Sequence, residues 1–309
     1  MAKSRPMRKP AWLIWLEYLP VAALLPIVRR IPYRLGLDLC KPLGIILYYL
    51  LPRYRRITLA NLAIAFGADL SNREAAAIAR AAFGHFLQTL YEMVALAHQS
   101  PATIARYTLS PIGYAEYQQA VAAGHGVIAC SAHLGNWYWT LVCAAAEGYT
   151  VNVIVRPLDN PRLDRLMNQL LFERWGIKVI ARRRAFPAAL AALRRGETLA
   201  LMIDQNAAID GCFVSFFGTP AATMRGLPHL MRATGAAVVC TADIREGHHH
   251  RALTHWLTNL PVDEQRCLRA INEYFEALIV AHKTCYFWLH PRWKTRPTGE
   301  PSLYPGLAV

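Results

Sequence analysis

The stretch Gly126-Val127-Ile128-Ala129-Cys130-Ser131-Ala132-His133-Leu134-Gly135-Asn136-Trp137 decides how this chain is read. Residues 126–130 form an apolar run with the length and composition of a buried strand. Gly135 and Asn136 are turn and N-cap types, and residues 137–147 then read as a helix. His133 is therefore expected at the C-terminal end of a strand, facing a helix N-terminus. An imidazole there can take a proton at neutral pH while nearby N–H groups hold a developing negative charge. A lone histidine is ordinarily a satisfied core or turn residue, so the case for His133 rests on its surroundings.

Outward from this stretch the pattern alternates. Residues 150–155, 178–180 and 199–203 read as strands, and residues 160–175 and 187–195 as helices. Such alternation predicts an α/β fold: a single domain with a mostly parallel central sheet flanked by helices. Upstream, Ser71-Asn72-Arg73-Glu74 has the spacing of a capping box opening a helix to about Ala97, and a short helix is expected near 115–123. Downstream, residues 224–234 look helical. Residues 237–245 and 251–257 look like strands joined through Gly247-His248-His249-His250, and a last helix spans about 263–283.

Three polar groups follow predicted strands. His133 follows the first, Arg156 follows Val151–Val155, and Asp204-Gln205-Asn206 follows Leu199–Ile203. If these strands are parallel neighbours, all three open onto the sheet edge where α/β folds bind ligands. One site would then hold a base, a fixed cation and an acid-amide group. Taken singly, Arg156 reads as a surface charge and Asp204 as a turn residue.

The chain has 309 residues, of which 54% are hydrophobic, enough for a sizeable core. Its net charge of +14 is localised: residues 1–60 carry eleven Lys/Arg against Glu17 and Asp38, and residues 156–195 carry ten. The first cluster flanks the apolar segments 11–28 and 35–51, a pattern suited to an anionic membrane surface rather than nucleic acid. Glu17, Pro20 and Pro26 make segment 11–28 a marginal span. Lys3, Arg5, Arg8 and Lys9 before it, with Arg29, Arg30 and Arg34 after, favour a helix lying in or dipping into the cytoplasmic leaflet. Residues 1–52 are accordingly expected to be a membrane-association segment and residues 53–309 the α/β domain. The seven cysteines show no metal or disulfide spacing, and the run at 248–250 reads as a solvated hairpin turn rather than a metal site.

The ordered set of motifs resembles the late acyltransferases of bacterial lipid A biosynthesis, within the wider glycerolipid acyltransferase superfamily. It comprises residues 56–62, His133-Leu134-Gly135-Asn136-Trp137, Arg156-Pro157-Leu158-Asp159-Asn160-Pro161, Asp204-Gln205-Asn206, residues 211–221, Thr223, residues 232–236 and residues 287–297. The resemblance implies acyl transfer from acyl carrier protein or acyl-CoA to a hydroxyl of a membrane glycolipid, at the cytoplasmic face of a bacterial inner membrane. No cofactor beyond the thioester co-substrate and no metal is implied. His133 would be the general base, with Tyr138 and Asp204 as candidate partners. Asn136, Arg156, Gln205, Asn206 and Thr223 would meet substrate, and Phe213–Phe217 would line an acyl pocket or serve as core.

The chain departs from the family at one position. The family pattern is a histidine, four residues, then Asp or Glu, but the fifth residue after His133 is Tyr138. Tyrosine accepts a hydrogen bond but carries no charge near pH 7. Three readings follow. Tyr138 or another acid such as Asp204 orients the imidazole; the chain is a non-catalytic acyl- or lipid-binding paralogue; or the site serves a different amphiphilic acceptor.

Overall fold

The computed structural model describes residues 10–97, 99–182, 185–208 and 211–307. Lys3, Arg5, Arg8 and Lys9, used above to orient the N-terminus, and Arg183 and Arg184 lie outside the described residues.

Helices α1 (Ala11–Arg30), α2 (Tyr33–Leu50), α3 (Pro52–Phe66), α4 (Asn72–Leu96), α5 (Pro101–Tyr107) and α6 (Tyr114–Ala122) precede the sheet. Strands and helices then alternate as β1 (Val127–Ser131), α7 (Trp137–Ala146), β2 (Val151–Val155), α8 (Pro161–Leu171), β3 (Lys178–Ala181), α9 (Ala185–Arg194) and β4 (Thr198–Met202). A hairpin, β5 (Cys212–Phe216) and β6 (Thr219–Thr223), stands apart, followed by α10 (Gly226–Thr234), β7 (Ala237–Glu246), β8 (His249–Trp256) and α11 (Glu264–Ala281). The six-stranded sheet has the order β3-β2-β4-β1-β7-β8, parallel except for β8. The expected mostly parallel α/β sheet is thus observed.

Alternation along each strand divides the core into two layers. Ile128, Cys130, Leu199, Leu201 and Val238 face one side, against α3, α4 and α9–α11. Val151 and Ala200 face the other, against Tyr138, Trp139 and Val142 of α7 and Leu170 and Leu171 of α8. Ser131 pairs with Met202 and with Thr241, so the C-terminal ends of β1 and β4 are level.

Two local features differ from expectation. The β5–β6 hairpin was not legible because its turn is Phe217-Gly218, with φ of +50° and +72°. A bulky residue rarely accepts a left-handed turn position, so the dipeptide gives no turn signal. Phe216 and Phe217 pack on Trp293, Phe66 and Trp288, so this segment is core. In the second hairpin only Gly247 and His248 lie between β7 and β8, while His249 and His250 belong to the strand.

α1 has the length and composition to cross a membrane, and only 6% of its apolar window is buried. Glu17 within it accepts from Asn160 Nδ2 at 2.9 Å, and the Arg162 guanidinium lies 3.7 Å from the Trp15 ring centroid. α1 is therefore docked against the start of α8. α2 is apolar on two sides. Leu37, Cys40, Gly44 and Tyr48 face inward, whereas Leu35, Leu39, Leu43, Ile46 and Leu50 form an exposed stripe at helical spacing. The inward face meets α4 closely: a Cβ on Gly44 would fall 2.3 Å from the Gly84 Cα. The capping box at Ser71 and Glu74 that opens α4 is present, with both reciprocal hydrogen bonds.

Gly44→Val is expected to destabilise the protein by about 1–3 kcal/mol through this backbone contact. The check is a lowered thermal midpoint in detergent, with the exposed-stripe variant Leu43→Val nearly unchanged.

Candidate active site

His133 lies two residues beyond the end of β1 and Asp204 two beyond the end of β4. Because the strands are adjacent and level, the two side chains meet. Asp204 Oδ1 accepts from His133 Nδ1 at 2.8 Å, and Oδ2 accepts from the His133 main-chain N–H at 2.8 Å. One buried carboxylate thus fixes both the ring and the backbone of the histidine. Burial alone would raise the Asp204 carboxyl, but the charge and hydrogen bonds of His133 outweigh it and hold it below its ordinary value. With Nδ1–H donated to Asp204, Nε2 carries the ring's lone pair. The Gln205 side-chain amide donates to it at 3.2 Å. Trp137 and Phe287 pack on the ring at centroid distances of 4.6 and 5.8 Å.

Tyr138 is not the partner of the imidazole. It lies in the first turn of α7, and its hydroxyl donates to the Leu171 carbonyl at 2.6 Å. Tyr138 is one of the residues that line the cavity.

That cavity, about 460 Å³, opens at the C-terminal edge of the sheet. Trp137, Leu141, Val155, Phe172, Phe186 and Met202 make much of its wall, and His133, Gln205, Asn206, Arg156 and Arg182 supply polar groups. The Arg156 side chain is 74% exposed and only loosely paired with Asp159, at 3.9 Å. Arg182 shares the cavity with it. The sequence presents Arg182 only as one of a basic run, and its place became visible with the β2–β3 pairing that sets it beside Arg156's strand.

Other expected ligand-facing residues serve the scaffold. Asn136 is fully buried. Its Oδ1 accepts from the Tyr138 and Trp139 amides, so these first amides of α7 are already capped rather than free to receive a negative charge. Thr223 is buried and its hydroxyl accepts from Arg292 Nη2 at 2.6 Å, away from the cavity. Asn206 touches the cavity, but its main-chain N–H donates to His290 Nε2 at 3.0 Å and its amide donates to Thr295 Oγ1 at 3.0 Å. Burial draws His290 down to about 4, so it is neutral and accepts.

The C-terminal segment 285–295 clamps both halves of the site. Phe287 N–H donates to the His133 carbonyl at 2.9 Å, and Gly135 N–H to the Cys285 carbonyl at 3.0 Å. Asn61 from α3 donates to the carbonyls of Trp288 at 2.6 Å and His290 at 2.7 Å, which accounts for Asn61 among the motifs. A Cβ at Gly135, whose φ is +66°, would fall 1.4 Å from the Asp243 carbonyl oxygen, so this turn admits only glycine.

Behind the turn lies a buried charged cluster that the sequence did not reveal. His250, expected in a solvated turn, is fully buried and stacked on Trp139 with ring centroids 3.7 Å apart. Its Nδ1 donates to Asp243 Oδ2 at 2.7 Å and its Nε2 to Glu92 Oε1 at 2.8 Å. Arg245 pairs with Glu92, and Tyr33 donates its hydroxyl to Glu92 Oε1 at 2.9 Å. Asn136 joins through its main-chain N–H to Asp243 at 3.1 Å and its amide to Glu92 at 2.8 Å. Burial lowers the His250 imidazole, but Asp243 and Glu92 together push it up to about 9.

The imidazolium therefore contributes stability that is fully present below about pH 6.5 and lost as pH rises through about 9. The thermal midpoint of the wild type is expected to fall across that window, and His250→Gln to be less stable throughout and to lack the His250-dependent part of that slope. Equal slopes in the two proteins would contradict the assignment.

The sequence matches the bacterial lipid A biosynthesis acyltransferase family over residues 2–295. Similar proteins include a lipid A biosynthesis acyltransferase of Haemophilus influenzae, 25% identical over 94% of this chain and 90% of its own length. The lipid A biosynthesis lauroyltransferase of Escherichia coli is 26% identical over 95% of each chain. The phosphatidylinositol mannoside acyltransferase of Mycobacterium tuberculosis is 24% identical over 68% of this chain and 67% of its own. With a match that runs through the membrane-type helices, the histidine edge and the C-terminal clamp, this chain belongs to the bacterial lipid A biosynthesis acyltransferase family and is an acyltransferase.

Proposed function

We propose that the protein transfers a fatty acyl group from acyl carrier protein or acyl-CoA to a hydroxyl of a lipid A precursor, with His133 as general base and Asp204 as the acid that orients it. The single observation that carries this reading is the His133–Asp204 pair opening onto an apolar cavity. The acceptor hydroxyl displaces the Gln205 amide from Nε2 and gives its proton to that nitrogen. Its oxygen attacks the thioester carbonyl carbon. The tetrahedral intermediate collapses with cleavage of the C–S bond, and the proton on Nε2 passes to the departing thiolate. Asp204 stays ionised throughout and stabilises the imidazolium. Arg156, Arg182 and the displaced Gln205 amide are the groups available to the oxyanion or to a phosphate of acceptor or donor.

The exposed apolar stripes of α1 and α2, flanked by Arg29, Arg30, Arg34, Arg53 and Arg56, suit insertion into an anionic leaflet. α1 rests against α8, which begins at Pro161 a few residues after Arg156, so the cavity mouth would sit at the lipid surface where the acceptor resides. The non-catalytic reading drew its support from Tyr138 in the acid's place. The carboxylate of Asp204 on the imidazole favours the catalytic reading over it.

In an assay with mixed carrier-protein and CoA thioesters and a bacterial lipid extract, read by mass spectrometry, His133→Ala is expected to abolish product. Asp204→Asn should lower turnover by about two to four orders of magnitude. Tyr138→Phe should stay within about ten-fold, since its hydroxyl loses only the bond to Leu171, worth roughly 1 kcal/mol. Wild-type turnover in His133→Ala would reject the reading. Arg156→Ala and Arg182→Ala are expected to raise KM for the phosphorylated partner more than they lower kcat.

A further inference from the structure

Arg292, in the C-terminal clamp, is only 2% exposed, yet among the described residues no carboxylate is in contact with it. Its guanidinium holds neutral acceptors. Nη1 donates to the carbonyls of Ala222 at 2.6 Å and Gln205 at 3.4 Å, and Nη2 to the Thr223 hydroxyl at 2.6 Å. Its Nε has no partner among the described residues, and the group lies 5.3 Å from the Phe216 ring centroid. The neighbouring cations are treated differently. Arg296 pairs with Glu300, Lys294 is exposed, and Arg245 is buried against Glu92. An arginine stripped of water without an acid in contact is costly to the fold. Burial draws the guanidinium below its ordinary value, while Tyr286, Asp204 and Tyr304 act the other way; an arginine stays charged in such a setting. The carboxylate that its charge reaches is Asp204, next to the Gln205 whose carbonyl it holds.

We infer that Arg292 is a positioning residue of the acyl-transfer site, a permanent buried cation that favours the negative charge on Asp204 and opposes a positive charge on the His133 ring. This rests on the reading of His133 as general base and adds the group that sets its working pH. A carboxylate by itself favours a protonated imidazole, which is useless as a base. A cation beyond the carboxylate offsets that pull and leaves Nε2 bare for the acceptor hydroxyl. Once Nε2 has taken the proton, the same cation makes the imidazolium a better acid toward the departing thiolate. The other groups around the ring leave this task to Arg292. His290 is drawn to about 4 by burial and is neutral, and burial pushes the Tyr286 phenol well up, so it carries no charge. Arg156 and Arg182, across the cavity, are exposed, where water and salt screen them. Tyr138 on α7 turns its hydroxyl to Leu171. Behind the Gly135 turn, Asp243 and Glu92 are balanced by His250 and Arg245, and His85 is drawn to about 3 by burial.

The test measures kcat/KM against pH, with mixed carrier-protein and CoA thioesters as donors and bacterial lipid extract as acceptor. Arg292→Met and Arg292→Gln remove the charge and are expected to move the acidic limb of the profile to higher pH by about one unit. Arg292→Lys keeps the charge and is expected to leave the limb within about 0.3 unit, even where lost hydrogen bonds lower the plateau. Thr223→Asp gives the guanidinium an acid in place of a hydroxyl. It is expected to raise the limb as removal does, without emptying the buried site, and it decides alone if the first two variants do not fold. A purely structural Arg292 would lower the plateau in all four variants and leave the limb where it is. Nitrogen NMR of 15N-histidine-labelled protein follows the His133 ring over the same pH range without turnover. A wild type that transfers nothing, with a ring titration that still moves in Arg292→Gln and Thr223→Asp, would reject the catalytic reading and keep the role of Arg292. A limb and a ring titration that stay at their wild-type positions in the variants that lose or neutralise the charge would overturn the inference.

Discussion

Both oxygens of Asp204 are committed to His133, one to the ring and one to the main chain, and the rest of the molecule is arranged so that this can happen. A carboxylate can make that pair of contacts only if β1 and β4 are adjacent, parallel and level. The register between Ser131 and Met202 supplies this condition. The loops that leave the two strands are then held from outside. Residues 285–295 bond to His133 and Gly135 on one side and to Asn206 on the other, so a shift of one loop would pull on both. Beneath the turn, Asn136 is fixed from two directions by Asp243 and Glu92, within a cluster whose two acids are balanced by Arg245 and the imidazolium of His250. Removing one member of such a buried set leaves an uncompensated charge and typically costs about 3–5 kcal/mol.

The departure from the family pattern acquires a physical sense in this arrangement. The fifth residue after His133, on α7, is a tyrosine and not an acid. Here the acid stands at the end of the neighbouring strand. Tyr138 occupies that helical position and bonds Leu171, tying α7 to the end of α8. A carboxylate on Nδ1 leaves the lone pair on Nε2 whichever element delivers it. Tyr138 also lines the cavity beside α7.

Much of this was legible in the sequence for a definite reason. Residues 126–130, 151–155 and 199–203 are apolar runs bounded by turn and cap residues, and strands buried on both faces are written that way. Polar residues following such runs must lie at one edge if the sheet is parallel, which nominated His133, Arg156 and Asp204 together. What lay out of reach depends on contacts between distant segments. That Asp204 and not Tyr138 takes the imidazole follows from strand order, which periodicity does not encode. His250 sits in a His-rich stretch beside a glycine and resembles a turn. Its burial is decided by Glu92, 158 residues away, and by the Trp139 ring. Asn136 and Thr223 sit in motif stretches and so invited a substrate role, yet their polar atoms are spent on the helix cap and on Arg292.

The central claim is that Asp204 sets the tautomer of His133, and nitrogen NMR of the histidine ring in 15N-histidine-labelled protein reads this directly. The account predicts a His133 ring protonated on Nδ1 and bare on Nε2 in the neutral form, with that preference lost in Asp204→Asn. A ring protonated on Nε2 in the wild type, or a spectrum indifferent to Asp204→Asn, would contradict it.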